Sequence, residues 1–589
     1  MPSAIAHQSE ESGADSPDRR RDAPAPPSLT AQSTHGTKDS YPQAGLNGRE
    51  HETAQEHRQL TNRSPEIQWR RFLNQRGLLY LTGLAFLLRL FVVWHFEQVI
   101  SPDGVQYVAL GRSLMAGNFQ EGLSTYWSPL YPLLVGLSSL FFHDVEFAGR
   151  FVSVIAGSLL VIPSYRLIQN WYGERVALVG AGLVALHPLL IYYSTALLTE
   201  STYTLFFTCG VLSGWSALSR GRARSFLLTG LAFGACYLLK PEAAGFFLLL
   251  LVPTLGRKLF AKACSFKSVA RDALLLCAGF TLLAAPYLFY LRQQTGAWTL
   301  SGKAVGHLWQ GNRMAGTDPT LPAMPLIPDA TTMLVQVTKA LRGEYEIFNL
   351  VFPPTFVLLA GLGLFRKGWA RDRWRREVYL FAFVGATLAG YAVALPNIRF
   401  FISLLPILLC WSAKGFSEFV GWVTETALKT FSAKRFMPYA RQTIAPLIFM
   451  GLLVSLLPLS AYLWRGDKWG DYYGQKRAAI WIKEHEGAHA PVIMSTVPVA
   501  AFYARGRYVE LYDEEYATLI ARAQHEGVGY LIVNERDFKH MRARSLLDDQ
   551  SFHPRLRLVY SHAESLEHRI LVYALDEIEP GVPQRAGDY

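Results

Sequence analysis

The sequence predicts a polytopic α-helical membrane protein with a small α/β domain at its C-terminal end. Three observations predict it. Half of the 589 residues are hydrophobic and only 17% are charged, where soluble chains carry about a quarter. Apolar stretches of about 20 residues recur along the chain, the length that crosses a bilayer as a helix. After Trp464 the pattern changes to short β-branched runs alternating with amphipathic segments.

The net charge of +11 would suggest nucleic acid in a soluble protein. Here Lys and Arg sit mostly in short loops between apolar runs, as orientation signals do. Membrane lipids are therefore expected as partners, and nucleic acid is not. The five cysteines, Cys209, Cys236, Cys264, Cys277 and Cys410, lie in or beside apolar segments without paired spacing. That argues against disulfides and zinc.

Residues 1–75 are rich in Ser, Pro, Gln, Arg, Glu and Asp. Such a composition buries too little to fold and is expected to be a disordered cytoplasmic tail. No apolar core near Met1 suggests a signal peptide. The membrane domain is expected over 76–465. Its first span is about 78–96, preceded by Arg70, Arg71 and Arg76 and followed by Glu97 and Asp103, which places the N-terminus inside and Asp103 outside.

Further spans are expected at about 147–168, 176–193, 202–218, 226–239, 243–255, 273–291, 350–365, 378–395, 401–411 and 443–464, about eleven in all. Residues 128–142, SPLYPLLVGLSSLFF, are apolar but short for a span. If they do not cross, the basic loops 220–224, 257–271, 366–376 and 414–441 all fall inside, as the charge rule requires. They are therefore placed as a re-entrant or interfacial helix. The first outer loop then runs over 99–146 and a long outer loop over 292–348. Asp103, Glu200, Lys240 and Arg399 all come out on the outer face.

Residues 466–589 read as an extracytoplasmic α/β domain. Helices are expected at 475–486 and 514–526, and strands at 491–496, 508–511 and 530–535. LRLVYS and RILVYAL form a closing pair.

Asp103 is an acid at a membrane edge, costly there unless solvated or used. Ser101-Pro102-Asp103 also opens a helix carrying Tyr107, so an N-cap role fits as well. As a general base it would take a proton from an acceptor hydroxyl while a lipid phosphate departs. Glu200 ends YYSTALLTE at the mouth of two spans, where it either contacts substrate or serves as a polar helix terminus. Lys240-Pro241-Glu242 breaks an apolar run. Lys240 would neutralise a phosphate or snorkel and pair with Glu242. Arg399 forks onto phosphate oxygens or anchors at the interface. The long loop carries Lys303, His307, Trp309, Asn312 and Arg313, a mixture suited to sugar or lipid-head contact, with His307 as a candidate ligand. No Walker A, GxGxxG, HExxH or GxSxG occurs in usable context.

These residues in this order resemble a known family. Asp103 and Tyr107, the Leu-rich helix ending at Gly117, and Ser128-Pro-Leu-Tyr131-Pro132 look like the first outer loop of bacterial relatives of dolichyl-phosphate-mannose protein mannosyltransferases. Arg150, Thr199-Glu200, Lys240-Pro-Glu242 and Arg399-Phe400 followed by Pro406 match in order and spacing. The similarity spans about 78–465, and the tail, with AIWI at 479–482 and GYLIV at 529–533, is similar to the soluble domain of many such proteins.

The resemblance implies a membrane-embedded, GT-C-type glycosyltransferase in a bacterial inner (plasma) membrane. It would move a sugar from a polyprenyl-phosphate donor, with inversion, to a protein, lipid or glycan acceptor on the outer face. Asp103 maps to the base and Glu200 to the second catalytic acid. Tyr107, Tyr131, Arg150, Lys240 and Arg399 map to substrate binding, with Lys240 and Arg399 at the lipid phosphate; His307 joins them from the composition of the long loop alone. No cofactor is expected. Many members carry two adjacent acids in the first loop; Gly104 takes the second place here, so a divalent metal is not indicated. The alternatives are a lipid or glycan transporter or flippase, and a non-catalytic membrane assembly protein. Transporters often show repeated halves with broken helices at mid-membrane, and no repeat is evident.

Overall fold

A computed structural model of the chain describes residues 65–260, 265–302, 330–391, 397–430, 437–464, 470–487, 489–548, 553–565 and 568–575. The expected N-terminal tail therefore lies almost wholly outside the described residues.

The first span forms within α1 (Pro65–His95), which begins well before the predicted 78. A short link leads to α2 (Pro102–Met115), and the ambiguous stretch 128–142 contains α3 (Leu130–Ser139), ten residues long. At about 1.5 Å per residue that helix is too short to cross. Helices α4 (Val145–Leu159) and α5 (Val161–Tyr172) follow and together make one span. Next come α6 (Glu174–Leu186) and α7 (Pro188–Thr195), bent by 50° at His187-Pro188. Pro188 lacks the N–H that would continue the ladder.

Helices α8 (Glu200–Arg220), α9 (Ala223–Tyr237), α10 (Ala243–Phe260) and α11 (Phe266–Thr295) take the expected places. The expected outer loop 292–348 is not loop throughout. Its last part belongs to α12 (Ala330–Val351), which turns by 90° into α13 (Pro354–Phe365). Helices α14 (Arg371–Tyr391), α15 (Leu405–Thr430), α16 (Met437–Val454) and α17 (Leu457–Trp464) complete the membrane part. A 3₁₀ turn, Ile398–Leu404, leads into α15.

Among the described residues five helices are long and apolar enough to cross a membrane, or seven if each bent pair counts once. The expected eleven thus exceeds what length and apolarity establish. Four of the expected spans, at α8, α9, α10 and α14, form helices that are too short or too polar to count. The helices divide by exposure. The α1 span is only 22% buried, with Leu79, Leu87 and Phe91 facing outward, whereas the span through α15 is 83% buried. Outward apolar faces suit lipid, and the internal contacts rely on small residues. A Cβ on Gly415 of α15 would lie 1.7 Å from the Leu359 carbonyl oxygen of α13. One on Gly111 of α2 would lie 2.6 Å from the Pro132 carbonyl of α3.

The C-terminal part combines helices with one five-stranded sheet. It contains α18 (Gly470–Glu486), β1 (Val492–Ser495), α19 (Val499–Ala504), β2 (Arg507–Glu510), α20 (Tyr516–His525), β3 (Tyr530–Asn534), β4 (Leu556–Ser565) and β5 (His568–Leu575). The strand order is β2-β1-β3-β5-β4. Strand β1 runs parallel to β2 and β3, and β5 antiparallel to β3 and β4. Successive residues face opposite sides. Ile493, Ile532 and Val572 pack under α18 and α19, while Met494, Leu531 and Leu571 pack against α20. Val497 and Val499, beside β1, instead join the core of the membrane part.

Candidate active site

Four charged side chains from distant parts of the sequence meet at one end of the helices. Asp103 stands in the first turn of α2. Ser101 is the N-cap, its Oγ accepting the Gly104 N–H at 3.1 Å, and Pro102 fills the first helical position. The capping role thus falls to Ser101, and the Asp103 carboxylate is left for another partner. That partner is Arg399, whose Nη1 donates to Asp103 Oδ2 at 2.8 Å.

Arg399 sits on the 3₁₀ turn before α15. Asn397 caps that turn, its Oδ1 accepting the Arg399 N–H at 3.1 Å. The guanidinium also donates through Nε to Glu200 Oε1 at 2.6 Å. Glu200 opens α8, where a carboxylate is favoured by the helix N-terminus. Lys240, in the break between α9 and α10, reaches the same Glu200 oxygen at 3.3 Å. Its ammonium also lies over the rings of Tyr203 and Phe400, 5.5 and 5.7 Å from their centroids. The sequence alternative of a Lys240–Glu242 pair is not what forms; Glu242 accepts from the Tyr391 hydroxyl at 3.3 Å. Tyr391 in turn stacks on Phe400 at 4.1 Å.

The two acids differ in access. The Glu200 side chain is 1% exposed, against 24% for Asp103 and 22% for Arg399. Glu200 spends one oxygen on both cations, and its Oε2 has no partner among the described residues. Asp103 and Arg399 are therefore partly open to solvent, whereas Glu200 is closed off from it. Two acids balance two bases, so the cluster is close to neutral without a ligand.

The other expected site residues divide. Tyr107, one turn after Asp103, is buried edge-on against Trp127 and Tyr131 at 5.5 and 5.1 Å. Burial, then the Asp103 carboxylate, push its phenol well above the usual value. Tyr131 is fully buried, with its hydroxyl bonded to Ser153 Oγ at 2.7 Å and the Gly149 carbonyl at 3.2 Å. Arg150 does not join the cluster; it pairs with Glu146, one helical turn earlier, and donates to the Gln98 carbonyl. His307 lies outside the described residues. Gly104 has no room for a second acid, since a Cβ there would lie 2.8 Å from Ile100 Cγ1 and 3.1 Å from the Leu197 carbonyl.

Sequence reasoning missed the residues that hold the first loop in place. Tyr287 and Tyr290 of α11 donate to the carbonyls of Ser124 and Leu123 at 2.9 and 3.0 Å. Their spacing of three places both on one helix face, a signal that the apolar reading of this span overlooked.

Residues 127–290 match the family model for dolichyl-phosphate-mannose-protein mannosyltransferase. Several solved membrane-enzyme structures share the fold of this chain. ArnT from Cupriavidus metallidurans in the apo state shares the fold at 13% identity, with 87% of this chain and 98% of that one covered and a TM-score of 0.53. The same protein bound to undecaprenyl phosphate gives 13% identity, 86% and 99% coverage and a TM-score of 0.51. The oligosaccharyltransferase AglB from Archaeoglobus fulgidus, in complex with an inhibitory peptide and a dolichol-phosphate, gives 13%, 80% and 70%, and 0.52. No curated protein matches the sequence. The likeness to ArnT covers 98% of that chain and 87% of this one, so it is not confined to one part of the fold.

Proposed function

We propose that this protein is a glycosyltransferase that moves a sugar from a polyprenyl-phosphate donor to an acceptor on the extracytoplasmic face, with inversion. The observation that carries this reading is the Arg399 fork shared between accessible Asp103 and buried Glu200, with Lys240 on the same Glu200 oxygen. The family match over 127–290 and the undecaprenyl phosphate and dolichol-phosphate bound to ArnT and AglB support it. The basic loops at the far ends of α8 and α13 support the orientation.

In this scheme the acceptor hydroxyl gives its proton to Asp103 as its oxygen bonds to the sugar C1. The bond from C1 to the phosphate oxygen breaks on the opposite face, and the electron pair leaves with polyprenyl phosphate. Arg399 and Lys240 receive the charge that develops there. Glu200 holds both cations in place without meeting the acceptor.

The test is release of polyprenyl phosphate from a panel of polyprenyl-phosphate sugars, in a membrane extract that supplies acceptors, comparing wild type with Asp103→Asn. The variant should fold normally and lose release by a factor of about 100 or more, the usual contribution of a general base. Undiminished release would remove Asp103 from this role. No release from any donor by folded wild type would favour transport or scaffolding.

A further inference from the structure

Residues 97–100 form an extended link between α1 and α2, and the C-terminal domain grips it. Lys476 of α18 bonds the Glu97 carboxylate at 2.6 Å, and the Tyr473 hydroxyl donates to the Glu97 carbonyl. From the membrane part, Arg150 donates to the Gln98 carbonyl. The last hold is Tyr503 of α19. Its hydroxyl accepts the Ile100 N–H at 3.0 Å and donates to the Glu146 carboxylate at 3.1 Å. Glu146 is itself the partner of Arg150. The link is thus closed into a polar ring drawn from both parts of the protein.

Two further facts give this ring leverage on the site. Ile100 is 2% exposed, so losing the acceptor of its N–H is costly. Its side chain also packs directly under the first turn of α2, within 2.8 Å of where a Cβ on Gly104 would stand. Movement at Ile100 is therefore felt at residues 103 and 104. Val497 and Val499 seat α19 in the transmembrane core and fix the position from which Tyr503 reaches.

We propose that Tyr503 is a positioning residue: its hydroxyl clamps the backbone at Ile100, three residues before Asp103, and so fixes the Asp103 carboxylate against Arg399. This rests on the reading of Asp103 as the base. Burial and the neighbouring Glu146 carboxylate hold the phenol protonated, well above its usual value. The hydroxyl therefore donates to Glu146 and accepts from Ile100 at the same time, which phenylalanine cannot do.

The experiment uses the full chain and Tyr503→Phe, with Tyr512→Phe on the C-terminal domain as the control. Hydrogen exchange is followed in the peptide containing Ile100. Turnover is measured as polyprenyl-phosphate release from whichever donor of the panel wild type uses. Tyr503→Phe should speed exchange at residues 100–104 at least about tenfold, since a buried amide loses its acceptor. It should lower kcat about tenfold while the donor KM stays within about twofold, the mark of an interaction that matters at the reacting centre. Tyr512→Phe should match wild type in both. Unchanged exchange, or kcat within about twofold of wild type, or a matched rise in KM, overturns the inference. Wild type silent with every donor overturns the glycosyl-transfer reading and the catalytic half of the inference with it, and exchange still decides whether Tyr503 holds Ile100.

Discussion

Arg399 donates to Asp103 across 2.8 Å, joining residues 296 positions apart in the chain. The contact brings the first loop against the turn that opens α15. In the proposed reaction a donor phosphate would compete with Asp103 for the guanidinium.

Arg399→Ala should therefore raise the donor KM by about 10- to 100-fold, with a much smaller effect on the acceptor, because a charge-assisted fork is lost at the phosphate. Arg399→Lys should recover little, since an ammonium cannot serve Asp103, Glu200 and a phosphate from one plane. Binding of undecaprenyl phosphate to the purified variants checks both. Equal losses for donor and acceptor would speak against a phosphate contact.

Packing gives a contrast between two glycines. Gly415→Ala should prevent correct assembly, because its methyl would meet the Leu359 carbonyl at 1.7 Å, and backbone cannot yield that far. Gly361→Ala, in α13 itself, meets nothing within 4 Å. It should be neutral or slightly stabilising, by up to about 1 kcal/mol, as expected for Gly to Ala inside a helix. The yield of monodisperse protein and its melting temperature separate the two.

The C-terminal domain carries an acid-sensitive contact. The Arg477 Nη1 lies 2.9 Å from His562 Nε2, so the imidazole accepts and must be neutral. Burial, then Arg477, lower the His562 value below that of the unfolded chain. A depressed value means the contribution is fully present above the unfolded value of about 6.5 and is lost as pH falls through the folded one. Proteolysis of the full-length protein within β4 should accelerate as pH falls below about 6.5. His562→Gln should flatten that dependence.

Much of the site was legible in the sequence because charge is rare in apolar runs. Asp103, Glu200, Lys240 and Arg399 each stand out, and their common side follows from the basic loops opposite. Their pairing was not legible. Lys240 and Glu242 are two apart at a proline break, and the turn there sends them to different partners. Arg150 stood out by the same rule but serves Glu146, a spacing of four that marks an intrahelical pair. The C-terminal strands were readable from alternation, whereas α12 was read as loop because its polar face hid an apolar stripe of helical period. Nothing local marked Tyr503, because its partner lies 403 residues away.

That separation has a consequence for how the protein is made. The Ile100 amide emerges from the ribosome long before the hydroxyl that will receive it. Until the C-terminal part has folded, the link before α2 lacks three of its anchors, Tyr473, Lys476 and Tyr503. A nascent or truncated chain would carry all four charged residues of the cluster yet keep its entry loop slack. Folding of the C-terminal part, rather than insertion of the helices, is then the step that fixes the link leading to Asp103.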